Sequence, residues 1–97
     1  MQKTKKPQPL SKSISLFLKQ LGIDQKVKEF EAIVRWPEIV GESIADATTA
    51  ETVTDGILFV KVINSTWRHE LIYFKRQILS NIDNKVGYGV IKDIRYI

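Results

Sequence analysis

Cysteine is absent from this chain of 97 residues, which removes disulfides, thiolate nucleophiles and Cys-ligated zinc together. The fold must be held by packing. Histidine occurs once, at His69, and zinc, which takes about four ligands, finds no candidate set and no metal site is expected. His69 stands beside Glu70, but neighbours on a helix point about 100° apart and do not face each other. Phosphate-cradling glycine loops and calcium loops are missing too. Gly87-Tyr88-Gly89 lacks both the third glycine and the strand-to-helix setting. Catalysis requires a nucleophile with a base in reach, paired carboxylates or a metal; none is legible, so the reading is a non-enzyme without a cofactor. No apolar run approaches the roughly 18 residues that span a bilayer, and the lysine-rich start is followed by no apolar region with a cleavage site. A cytoplasmic protein with no membrane partner is expected.

What is present is ordinary for a small globular domain, 43% hydrophobic and 27% charged. The net charge of +4 is unevenly spread. Lys3, Lys5, Lys6 and Lys12 precede any acid, leaving 11 basic and 11 acidic groups in residues 13–97. Residues 13–64 hold 5 basic against 8 acidic groups, and residues 65–97 hold 6 against 3. With Pro7 and Pro9 and no periodicity, residues 1–10 read as a flexible basic arm, and residues 11–97 as one domain. The arm and the basic C-terminal third are each suited to phosphate, because Lys and Arg neutralise backbone charge and release counterions. A merely solvated surface is the alternative.

Leu10, Ile14, Phe17, Leu18 and Leu21 recur at helical spacing, with Ser11 or Ser13 as N-cap and Gly22 as stop. Asp24 is expected to cap a second helix with Val27, Phe30, Ile33 and Val34 inside and Lys26, Lys28, Glu29 and Glu31 in water. Pro37 disfavours helix at Trp36 yet suits a helix start, so a kink or break is expected after Trp36. Glu38 to Ala47 resumes the helix, with Gly41 and Ala45 leaving room for a packed neighbour. The β-branched stretch Thr48 to Val53, the turn Thr54-Asp55-Gly56 and the run Ile57 to Ile63 form a hairpin. Leu58, Val60 and Val62 face its core side; Ile57, Phe59, Lys61 and Ile63 face the other. Asn64, Ser65 or Thr66 caps a long helix whose core stripe is Trp67, Leu71, Phe74, Ile78 and Ile82. Gly87-Tyr88-Gly89 turns into a last strand, Val90 to Ile97. The class is α+β, in the order α-α-β-β-α-β, with a three-stranded sheet and its helices on one face.

Two surfaces follow from this layout. On the long helix, Arg68, Ile72, Lys75 and Leu79 fall on one stripe with Arg76 beside it, aliphatics bracketed by cations. On the open sheet face, Phe59 and Lys61, joined by Arg95, suit nucleic acid or a protein partner. Trp36 is either buried or at an interface.

The blocks Trp36-x-x-Ile39-Val40-Gly41, Asp55-Gly56-x-Leu58-x-Val60-x-Val62, Trp67-x-x-Glu70-Leu71 and Ile91-x-x-Ile94-x-Tyr96, in that order, resemble the DciA-like family. The resemblance covers about residues 24–97. It implies a KH-like α+β fold, the bacterial replicative helicase as partner, and DNA binding. The Gly-x-x-Gly loop with which KH domains grip a nucleic-acid backbone is absent. On this reading the protein is a replication adaptor. Lys3, Lys5, Lys6, Lys12, Lys61, Arg68, Lys75 and Arg76 are its phosphate contacts, and Phe59, Ile72, Leu79 and Trp36 its partner contacts. The alternatives are an RNA-binding KH-like module, with Phe59 stacking and Lys61 on phosphate, or a pure protein interaction domain.

Overall fold

A tight hairpin organises the fold. Strands β1 (Thr48–Thr54) and β2 (Ile57–Val62) pair antiparallel, with a register shift between Ala50 and Thr52. Asp55 (φ 54°) and Gly56 (φ 79°) both take left-handed conformations, as a two-residue type I′ turn demands. Strand β3 (Asp93–Tyr96) adds parallel to β2, so the order is β1-β2-β3 with β2 central. A parallel neighbour requires a crossover; here it is the long helix α4 (Ser65–Lys85). The computed structural model describes residues 13, 14, 16, 17 and 20–97. The arm, with Lys3, Lys5 and Lys6, and Lys12 just after it therefore lie outside the described residues. So does part of the expected first helix, of which Ser13, Ile14, Leu16, Phe17, Gln20 and Leu21 are helical.

The core lies between the sheet and α4. Leu58, Val60, Val62 and Ile94 project from the strands, and Leu71, Ile78 and Ile82 from the helix. The expected class and element order are found, and the mixed sheet carries its helices on the Leu58 side. Asn64 is the residue that caps α4, its Oδ1 accepting from the Trp67 amide at 2.8 Å. Phe74, expected in the core stripe, is exposed instead: it sits about 60° around the helix from the line through Leu71, Ile78 and Ile82. The last strand is shorter than Val90 to Ile97. Val90 and Ile91 are buried outside it, although Ile97 continues the ladder by donating to Val60 O and accepting from Val62 N, both at 2.9 Å.

Ahead of the hairpin come α1 (Ile23–Val34), α2 (Trp36–Val40) and α3 (Glu42–Ala47), and here four expectations change. The break falls at Arg35, before Trp36, which opens α2 with Pro37 in its first turn; that is where proline's missing N–H costs nothing. Asp24 caps nothing, because Gly22 occupies the N-cap of α1 in a left-handed conformation. Gly41 meets no packed neighbour; its φ of 88° makes the reversal from α2 to α3, a conformation L side chains avoid.

The fourth change is the largest. Helix α1 packs with Glu29 and Ala32 inward and with Val27, Phe30 and Val34 exposed. Trp36 is in the core, and Ala32 and Glu29 precede it by one and two helical turns, so that face is drawn in. The small Ala32 lets the helix approach closely. Gln25 Nε2 donates to Glu29 Oε2 at 3.2 Å and to Val90 O at 3.3 Å, which provides the buried carboxylate with a partner. Arg35 then fastens three elements: it pairs with Glu31 at 2.8 Å and Glu38 at 2.9 Å, and Nη1 donates to Lys85 O at 2.6 Å.

Candidate functional site

Helix α4 crosses one sheet face and leaves a long outer surface in water. Arg68, Ile72 and Arg76 stand one turn apart there. Ile72 and Arg76 are exposed and Arg68 is half-buried, so an aliphatic side chain lies between two guanidinium groups. Leu79, expected to extend the contact surface, is half-buried against the core and offers only an edge. Lys75 is half-buried and pairs with Asp93 at 3.1 Å. That hydrogen bond, above all, holds the Asp93 carboxyl below its ordinary range, with Arg95 adding a favourable charge. Lys75 therefore brings the α4 flank to the β3 edge, with part of its charge already answered by Asp93.

The opposite sheet face is open, as expected. In register across the three strands run Thr52, Phe59 and Arg95, with Thr54, Ile57 and Asp93 beside them and Thr49 against Lys61. Neighbouring strands lie about 4.8 Å apart, so Phe59 has a threonine on one side and a guanidinium-bearing residue on the other. Phe59 is half-buried, and Lys61 and Arg95 are exposed. An aromatic beside cations on an open sheet face is an arrangement that can stack a base and meet phosphate. Arg95 and Asp93 share the β3 edge, so the open face and the α4 flank adjoin there.

Trp36 resolves to the buried reading. It is 2% exposed, and its Nε1 donates to Thr48 Oγ1 at 2.9 Å, so its side chain is withdrawn from any partner surface. His69 is exposed and meets Tyr73 edge-on, ring centroids 5.8 Å apart. Tyr73 and the outward stripe of α1 are surface features that periodicity does not single out, since apolar residues at helical spacing read as core. Among the described residues no cluster of three or more metal-ligating side chains occurs, and no helix is long and apolar enough to cross a membrane.

A family model described as Dna[CI] antecedent, DciA, matches residues 9–96. A UPF0232 protein of Rhodococcus jostii is 37% identical over 89 residues, which is 92% of this chain and 47% of that protein. One of Mycobacterium ulcerans is 32% identical over 92 residues, 95% of this chain and 49% of that protein. One of Mycobacterium tuberculosis is 29% identical over 89 residues, 92% and 48% respectively. The chain spans about half the length of the curated relatives it matches.

Proposed function

The chain belongs to the DciA family, and from that premise we propose that it is a non-enzymatic adaptor of bacterial DNA replication. It contacts the replicative helicase in the cytoplasm and binds DNA without strong sequence preference. The observation that carries this reading is the family match, which runs over nearly the whole chain. The surface chemistry supports it. Arg68 and Arg76 flank the exposed Ile72 on α4, and Lys61 and Arg95 flank the half-buried Phe59 on the sheet. Cations on two adjoining surfaces, with the lysines of the arm, contact phosphate rather than base edges, and such contacts position a duplex or strand without reading it. Ile72, with Leu79 at its edge, is the apolar contact for the helicase, and the arginines beside it desolvate readily at an interface. The KH-like character implied by the family fits this sheet and crossover helix, but grip on nucleic acid falls to the side chains, because no Gly-x-x-Gly loop exists in the sequence.

Phe59 and Arg95 in register favour one alternative, an RNA-binding platform on the open face. Equilibrium binding of single-stranded DNA and RNA of one sequence, across a salt series, tests both. A steep salt dependence with equal affinities supports the adaptor; a large RNA preference supports the platform; no binding at low salt removes nucleic acid from the function.

A further inference from the structure

Helix α1 turns the wrong face outward for a lone domain. Ile23, Val27, Phe30 and Val34 form a stripe at steps of four, three and four residues, and all four are exposed. Across Gly22, the helical residues Ile14, Phe17 and Leu21 form a second stripe, also exposed. These seven side chains are 41–64% exposed. Water-facing apolar residues scattered singly need no explanation, but two aligned stripes do.

We propose that the two stripes cover each other between two copies of this chain, the 14–21 stripe of one seated on the α1 stripe of the other, giving a symmetric dimer. Three observations select a second copy as the occupant. First, the chain cannot close the pair on itself: Leu21 and Ile23 are both helical and only Gly22 (φ 77°) separates them. An antiparallel helical hairpin takes about 2–5 connecting residues and sets axes 8–10 Å apart. Second, the seven exposed side chains offer on the order of 800 Å² per copy, the amount one partner contributes to a standard stable interface. Third, charge is complementary. Residues 1–21 carry five lysines and no acid, and on the side away from Lys26 the α1 stripe is flanked by Asp24 and by Glu31, which also pairs with Arg35 at 2.8 Å. An isologous contact uses the same two patches twice, as two-fold symmetry requires. This dimer leaves α4 and the sheet uncovered for the proposed helicase and nucleic-acid contacts, and shares with the latter only the lysines of residues 1–21.

The absence of cysteine makes the test direct. Phe17→Cys and Phe30→Cys are made singly in the 97-residue chain, mixed, and oxidised. The proposal expects a covalent 17-to-30 dimer in the mixture at several-fold the yield of either variant alone. Sedimentation equilibrium of the unmodified chain should show a monomer–dimer equilibrium, shifted at least tenfold toward monomer by Val27→Asp with Phe30→Asp while circular dichroism is unchanged. If the mixture gives no more product than the single variants, and the chain sediments as a monomer up to millimolar concentration, the dimer is excluded. If the chain is monomeric and the double variant instead abolishes helicase capture, the stripe belongs to the helicase and the proposal falls.

Discussion

Trp36 and Thr48 are joined by a buried hydrogen bond of 2.9 Å from the indole Nε1 to the threonine hydroxyl. The same hydroxyl donates to Ile44 O at 2.6 Å, so one oxygen fixes the start of α2, the end of α3 and the first residue of β1. Val at position 48 keeps the volume and leaves the indole N–H unpaired. Thr48→Val should cost about 1–3 kcal/mol in urea unfolding, whereas Thr48→Ser, which retains the hydroxyl, should cost about 1 kcal/mol or less.

Asp93 and Lys75 set an acid limit. The ion pair lowers the Asp93 pKa in the folded chain, so the stability it contributes is present above the unfolded value and is lost as pH falls through the folded one. Lys75→Met should make the protein less stable at neutral pH, with the difference from the parent closing below the ordinary carboxylate range. High salt should shrink the same difference, because the pair is partly exposed. Urea midpoints from pH 7 to pH 2.5 measure it.

Tyr96 sets the alkaline limit. Its Oη is buried without a hydrogen-bond partner among the described residues, and burial raises the phenol's pKa to about 12. A raised pKa contributes stability below the unfolded value of about 10, which is lost as pH rises toward the folded one. Tyr96→Phe should remove that alkaline loss. It should also stabilise the protein at pH 7 by about 1 kcal/mol, since a buried unpaired hydroxyl disappears.

Arg68, half-buried, and Arg76, exposed, have no ion-pair partner among the described residues. Replacing both by Ala should leave the fold intact, weaken DNA binding alike for unrelated sequences and reduce the slope of log affinity against log salt by up to about 2. Unchanged slope and affinity would remove α4 from the DNA surface.

The strands and the crossover helix are legible because their signals are local. Asp55-Gly56 makes the turn, alternation in Ile57 to Val62 separates two faces, and Asn64 caps α4. Helix α1 is illegible for a physical reason: its periodicity places Val27, Phe30 and Val34 on one face but does not say whether that face meets this chain or another. The burial of Trp36 and the small Ala32 decided it. Gly41 illustrates the same limit, since a glycine used for close packing and one used for positive φ look alike in a sequence. Of the candidate contacts, Arg68, Ile72 and Arg76 fall together on α4, while Lys75 has an acidic partner that proximity in sequence does not reveal.

Titration of the 97-residue chain against the purified replicative helicase tests the adaptor role most directly. The expected result is a saturable complex that Ile72→Asp weakens at least tenfold, about 1.4 kcal/mol, with the variant's circular dichroism unchanged. Absence of a complex at micromolar concentrations of both proteins, or equal affinity of the parent and the Ile72→Asp variant, would contradict it.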